Sequence, residues 1–521
     1  MLSSIFSIST FDKVLLTLVV IAFLAILNKM VLKPLAILNL YAKTPGSIVS
    51  YRIGNKVLRT RSNVSPANSE LAKGHPFLSS PFYAHFVDYP DLRFIVMNNF
   101  HIPLIYLVDS ELLTEYFKNQ KNYNKFFPRS FFKKHHLRYS LGGSEGEEWK
   151  RQRKIISEAF HFENLKKIIP LIDDTVKEII NDFKPVEPEF MALQEFQKIA
   201  GENVGRMFFG ENLNKYTING RLLILEFAEL FLENSILFYN PTYQVFGEWP
   251  LLWSSKFRKL RRDTAAFGEY AWVIMKNNIE KIKRGEMKNP DGRKSMLEIL
   301  VERDKSEEIL DERQLLGNFI NFYFAGMDTT GHLLSMIFYL LTQNPHIKEK
   351  LEKSIDAVWD GKSSLAFEKL QQMEYLQAVI DETLRIATPA PSTWPRVAIV
   401  DHYIKDVPIK KGSMILPNFL KSNYNPNLYK DRGVFKPERW MKGSDCYERP
   451  ADPYAFTPFS AGGRNCIGQH FSQLETKVVV CHFLKAFDIE LKSDPNPNIV
   501  MRLLIEPEIP MKFKLTKKRA N

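Results

Sequence analysis

One of the three cysteines in this 521-residue chain has neighbours suited to thiolate chemistry. Cys466 lies in Phe459-Ser-Ala-Gly-Gly-Arg-Asn-Cys-Ile-Gly468, two residues after Arg464 and directly before a helical apolar pattern through Phe471, Leu474, Val478 and Phe483. The thiolate, and not the thiol, is the form that binds metal. Glycines at 462, 463 and 468 let the backbone turn tightly, approach a flat group closely and aim N–H groups at the sulfur. A helix opening just after the cysteine adds a positive dipole end, which lowers a thiol pKa. A lone cysteine is by default a small buried apolar residue, and Cys446 and Cys481 keep that reading. Phe459, Gly462, Arg464, Cys466 and Gly468 at these spacings would recur by chance on the order of once in ten thousand chains of this length.

A second stretch could line a small-ligand site. Between Gln314 and Gln343 apolar residues are dense and only Asp328 and His332 are ionisable, the pattern of a long helix buried on most sides. Inside it sits Ala325-Gly-Met-Asp-Thr-Thr330. Small side chains at Ala325 and Gly326 shave one helix face and make room for a ligand, while a Thr329 hydroxyl bonded back to the Ala325 carbonyl bends the helix locally. Taken alone, Asp328 and Thr329 fit a polar patch on a core helix equally well.

The remaining charged residues read as structural. Glu382 and Arg385 are three apart, so they share a helix face and can form a charge-assisted bond. Glu148 and Arg151 have the same spacing and are expected to form a solvated pair.

The cysteine loop resembles the haem-binding signature of the cytochrome P-450 family, Phe-x-x-Gly-x-Arg-x-Cys-x-Gly, at every fixed position. The resemblance implies a mainly α fold with small β-sheets, a haem b (iron protoporphyrin IX) cofactor and Cys466 as its axial ligand. Ala325 to Thr330 is similar to the family's oxygen-activation motif, which implies that Thr329 and Asp328 deliver protons for oxygen activation beside Ala325 and Gly326. Phe435-Lys-Pro-Glu-Arg-Trp440 resembles the family's Pro-Glu-Arg-Phe segment and supplies Arg439 as the third member of a triad with Glu382 and Arg385. The family has Phe where this chain has Trp440, a change read as conservative. Trp149-Lys-Arg-Gln-Arg153 matches the family's Trp-x-x-x-Arg, and Arg396 matches its arginine on a strand after the triad helix. Trp149, Arg153, Arg396 and Arg464 are thereby implied as propionate partners, with Phe459 and Gly468 closing the loop around the haem. Lys150, Arg151 and Lys154 would point outward to an acidic reductase. The aromatic stretch from Phe227 to Trp253, with Phe246 and Trp249 after Pro241, takes the position of the family's membrane-dipping lid.

The expected reaction inserts one atom of O2 into an apolar small molecule, with electrons from NADPH through a flavoprotein reductase, or from a cytochrome b-type donor. Isomerisation or dehydration of peroxides without a reductase is the alternative; family members of that kind tend to lack the acid and threonine pair. A haem sensor without turnover has no feature in its favour.

Lys and Arg number 71 against 59 Asp and Glu, a formal +12. The basic clusters, such as Lys133-Lys134-His135-His136, carry no zinc-finger or RNA-binding signature, so membrane lipid or a docking protein is expected and nucleic acid is not. Three cysteines are too few for a disulfide framework and fit a reducing compartment. Val14 to Leu27 is apolar except for Thr17, and carrying the run to Leu32 gives about 28 Å of helix, close to a bilayer core of about 30 Å. The basic residues that follow place the rest of the chain in the cytosol, on an uncleaved single-pass helix in the endoplasmic reticulum membrane. The sequon Asn63-Val64-Ser65 then stays unglycosylated. Residues 1–45 are expected to be anchor and hinge, and 46–521 one haem domain.

Overall fold

The computed structural model describes residues 10–28, 32–53, 56–63, 89, 91–99, 102–126, 137–183, 189–218, 220–236, 248–287, 294–303 and 309–518. Lys133 to His136, Val64 and Ser65 of the sequon, and Pro241 and Phe246 of the aromatic stretch lie outside the described residues. The chain divides into two compact units, neither continuous in sequence, so no linker composition announces them.

The first unit gathers residues from 1–67, 89–126 and 394–418. It holds α1 (Thr10–Leu27), α2 (Lys33–Tyr41) and α3 (Ser110–Lys118). Its seven-stranded sheet runs in the order Lys56–Asn63, Ser47–Ile53, Phe94–Asn99, Ile102–Leu107, Met414–Pro417, Arg396–Ala398, Tyr123–Lys125. The central pair is apolar on both faces: Phe94, Val96, Ile105 and Leu107 are fully buried and Ile95, Leu104 and Tyr106 nearly so. Arg396 is buried on its short strand, where it pairs with Ile415 and Lys125. Within the span expected from Val14 to Leu32, α1 covers the part up to Leu27, and Lys29 to Val31 lie outside the described residues; α2 follows from Lys33 with Pro34 in its first turn, where a missing N–H is tolerated. Among the described residues no helix is long and apolar enough to cross a membrane. The α1 side chains Val14, Leu16, Leu18, Val19, Ile21, Phe23 and Leu24 are all exposed.

The second unit is mainly helical: α4 (Gly146–Ala159), α5 (Phe162–Asp182), α6 (Ala192–Val204), α7 (Leu223–Ile236), α8 (Ser255–Lys283), α9 (Met296–Val301), α10 (Glu312–Gln343), α11 (Pro345–Asp356), α12 (Phe367–Gln372), α13 (Glu374–Ile386), α14 (Leu420–Asn423) and α15 (Gln469–Ala486). A three-stranded sheet and small hairpins accompany them, among these the hairpin Ile499–Met501 with Ile505–Pro507. α10 is the long buried helix the sequence pattern predicts. Asp311 caps it through a reciprocal pair with Gln314, at 2.8 and 3.1 Å. α6 lies directly against it, and two glycines set the distance. A Cβ on Gly326 would come within 2.7 Å of Val204 Cγ2, and one on Gly331 within 3.0 Å of the Gln197 backbone nitrogen. Gly326 is therefore needed for helix packing on the α6 side, a different reason from the ligand space expected of it, while Ala325 is exposed.

Gly331→Ala forces α6 and α10 apart, since the neighbour it meets is backbone. It should cost about 1–3 kcal/mol, read as a lower denaturation midpoint, with no change in the residues that face Cys466.

Candidate haem site

The loop from Phe459 to Gly468 is held from within and from α4. Cys466 N–H donates to the Phe459 carbonyl at 2.9 Å, and Ser460 and Gly462 take positive φ of 63° and 74° to make the turn. Arg153 on α4 donates to the Asn465 carbonyl at 3.0 Å and to Asn465 Oδ1 at 2.8 Å. Arg464 donates to the Ser144 carbonyl at 3.0 Å and pairs with Glu145 at 2.6 Å, its guanidinium lying 3.9 Å over the Trp149 ring. Trp149, Arg153, Arg464 and Cys466 are thus brought together, with both arginines already engaged by protein groups. Arg396 belongs to the first unit and is described there.

Cys466 has accessible surface, yet the protein packed around it desolvates the sulfur. Burial pushes the thiol up, while the Gly468 backbone N–H and Arg153 pull it down. The lowering expected from the helix end is outweighed by desolvation.

α10 runs beside the helix that starts after the loop: Thr330 Oγ1 lies 3.2 Å from Ser472 Oγ. Thr329 Oγ1 donates to the Ala325 carbonyl at 2.7 Å, the back-bond expected from sequence. Asp328 faces elsewhere. It is buried and accepts from Gln197 Nε2 at 2.7 Å. His332 Nδ1 is 2.7 Å from the Asp328 carbonyl and 3.3 Å from its Oδ1, and His332 Nε2 is 3.4 Å from Glu506 Oε2. These partners escaped the sequence reading. His332 carried a usable signal, since it is four residues from Asp328 and shares its helix face. Gln197 and Glu506, in distant segments, carried none.

The triad is fully buried. Glu382 accepts from Arg385 Nη2 and Nε at 2.8 and 2.9 Å, Arg439 Nε at 3.0 Å, the Lys436 N–H at 2.9 Å and Trp440 Nε1 at 2.9 Å. Trp440 is therefore more than a stand-in for Phe, because its indole N–H binds the central carboxylate. Glu148 and Arg151 do not pair as expected. Arg151 turns to the Ile309 carbonyl at 2.7 Å and Gln314 Oε1 at 2.9 Å, so it is not part of an outward basic face, whereas Lys150 and Lys154 are exposed.

An accessible cysteine in a glycine turn, with Trp149, Arg153 and Arg464 gathered at its loop, fits a flat anionic macrocycle bound through sulfur. The family model for cytochrome P450 matches residues 94–515. The chain belongs to the cytochrome P450 family. Cytochrome P450 3A5 of Homo sapiens is 28% identical over 394 residues, 73% of this chain and 76% of that protein. Cytochrome P450 3A6 of Oryctolagus cuniculus is 27% identical, covering 79% of this chain and 83% of its own. A solved structure of retinoic acid bound cyanobacterial CYP120A1 superposes with a TM-score of 0.66 at 22% identity, over 82% of this chain and 92% of that one, and so shares its fold. The fold is the cytochrome P450 fold, mostly helical with small sheets, and the chain is a haem b monooxygenase of that family.

Trp440→Phe leaves Glu382 four of its five donors and should destabilise the protein by about 1.5–3 kcal/mol. Glu382→Gln leaves the buried Arg385 without a carboxylate partner and Arg439 with Glu448 alone, costing about 3–5 kcal/mol. Its measure is haem content per polypeptide after purification, which should fall sharply for Glu382→Gln and little for Trp440→Phe.

Proposed function

We propose that this P450 is a membrane-anchored enzyme, with residues 1–45 as anchor and hinge and 46–521 as the haem domain, that takes electrons from an NADPH-dependent flavoprotein reductase and oxygenates an apolar small molecule. The observation that supports the reading is an acid and a hydroxyl on adjoining faces of α10: Thr329 bonded back onto the Ala325 carbonyl at 2.7 Å, and Asp328, the preceding residue, buried against Gln197. When bound, the haem would supply oxygen activation, and Cys466 would hold its iron through the sulfur.

The chain's own residues have separate tasks. Gly468 N–H and Arg153 stabilise negative charge on the Cys466 sulfur, and Phe459 and Gly468 fix the loop. Arg153 also ties Asn465, beside Cys466, to α4, and with Trp149 and Arg464 it is assigned to the propionates. Ala325 leaves the slot open. Thr329 passes protons at its Oγ1, and Asp328 resupplies them at its carboxylate. Exposed Lys150 and Lys154 on α4 offer positive charge to a reductase. The exposed apolar girdle of α1 supports the anchor, with exposed Trp249 and Trp253 as further lipid contacts, and an endoplasmic reticulum address with the haem domain in the cytosol follows from that reading.

NADPH consumption by the purified protein with reductase should rise on adding an apolar ligand that shifts its haem spectrum. No consumption with any such ligand would assign it to the reductase-independent peroxide chemistry instead. Thr329→Ala should cut product formed per NADPH roughly ten-fold or more and release hydrogen peroxide. Cys466→His should abolish the thiolate-type red shift of the carbon monoxide difference spectrum; an unchanged spectrum would remove Cys466 from the iron.

A further inference from the structure

α10 presents a second, separate face to a cavity. Phe324, Asp328, His332, Ser335 and Met336 line one side of a cavity of about 280 Å³, closed by α6, α7 and the hairpin around Arg502 to Glu506. Their spacing marks a single helix face, and neither Ala325 nor Thr329 is on it. Asp328 and His332, the acid and the imidazole of this helix after its first turn, are therefore both turned to this cavity. His332 bridges two carboxylates there, Asp328 Oδ1 at 3.3 Å and Glu506 Oε2 at 3.4 Å. Arg502, half-exposed at the mouth, lies 2.7 Å from Glu506 Oε1. A volume of this size with several polar partners suits ordered water.

We propose that His332 is the positioning residue of the proton relay: it ties the carboxylate of Asp328 to Glu506 across this cavity and fixes the side from which Asp328 takes up protons. The inference rests on the reading of Asp328 as the relay's acid. Gln197 holds the carboxylate from α6 and His332 holds it from its own helix, so Asp328 stays turned to the cavity. Protons then arrive through the water of the cavity, along the Glu506 and Arg502 side, and leave toward Thr329, the next residue.

The bridge calls for a charged imidazolium. Burial works against that charge, but Asp328 and then Glu506 outweigh it and push His332 up to about 10. The other charged groups lining the cavity are occupied among themselves: Arg221 pairs with Glu226 at 3.2 Å and with Glu229, and Glu508 accepts from Asn498 at 2.7 Å. An imidazole held so firmly in its cationic form is a poor donor, so it acts as a fixed counter-charge and not as the carrier.

The test uses the full-length holoenzyme with H332Q, E506Q and D328N. A folded pKa raised above the unfolded 6.5 gives stability that is complete below pH 6.5 and lost as pH rises to about 10. The melting temperature of the native protein should thus exceed that of H332Q most at pH 6, and the gap should close by about pH 10. At neutral pH, H332Q should send several-fold more of the NADPH electrons to hydrogen peroxide with substrate KM unchanged, and E506Q should shift both readouts the same way by less. E506Q carries the test alone if H332Q does not fold. A gap that does not vary with pH, or intact coupling in H332Q where D328N uncouples, overturns the proposal. Intact coupling in D328N itself removes the relay role of Asp328, and this inference with it, while the pH dependence of the gap still reports the ion pair.

Discussion

A carboxylate with no accessible surface must be neutralised where it stands, and Glu382 meets that demand with five donors drawn from two separate stretches of chain. Arg385 comes from the same helix, whereas Lys436, Arg439 and Trp440 come from a segment some 50 residues on. Arg385 then spends its remaining N–H groups on the backbone carbonyls of Asn423, Arg432 and Val434, while Arg439 donates to the Lys430 carbonyl and pairs with a second carboxylate, Glu448. An irregular segment that lacks a ladder of its own is in this way given fixed backbone partners. The constraint reaches the haem loop through packing. The Trp440 ring lies 4.4 Å from that of Phe456, three residues before Phe459, and Ser422 holds the Ala455 carbonyl at 2.7 Å. Cys466 lies beyond the end of this chain of contacts, so a triad remote in sequence from the loop helps set where its sulfur stands.

What could be read in the sequence is what short-range spacing encodes. The cysteine loop, the acid and hydroxyl pair, the buried helix around them and the Glu382 to Arg385 bond are each contained within a dozen or so residues, apart from the helix, whose apolar periodicity is itself local. The illegible part is set by contacts across long stretches of chain. The first unit draws its sheet from three separated segments, so composition gives no boundary. Arg464 has the type and position of a carboxylate partner, but Glu145, 319 residues earlier, reaches it. Gly326 looks like room for a ligand until Val204 is seen 2.7 Å from its absent Cβ. Trp440 was undervalued because its apolar bulk is evident in the sequence while the destination of its N–H is not.

α10 shows why a motif read as one functional unit splits in space. Adjacent helical residues point about 100° apart, so Asp328 and Thr329 cannot face the same volume. The hydroxyl is back-bonded to Ala325 and does not line the charged cavity, whereas the acid does. This separation has an electrostatic cause. A carboxylate buried without polar or cationic partners carries a desolvation cost of several kcal/mol. On the far face it finds Gln197 and the imidazolium of His332. One carboxylate at 3.3 Å roughly offsets the burial of an imidazolium at an effective dielectric of 20, since each effect is on the order of 5 kcal/mol. Glu506 adds to Asp328 in raising the His332 pKa against burial, which makes a residue from the distant carboxyl-terminal hairpin part of the surroundings of the acid on α10.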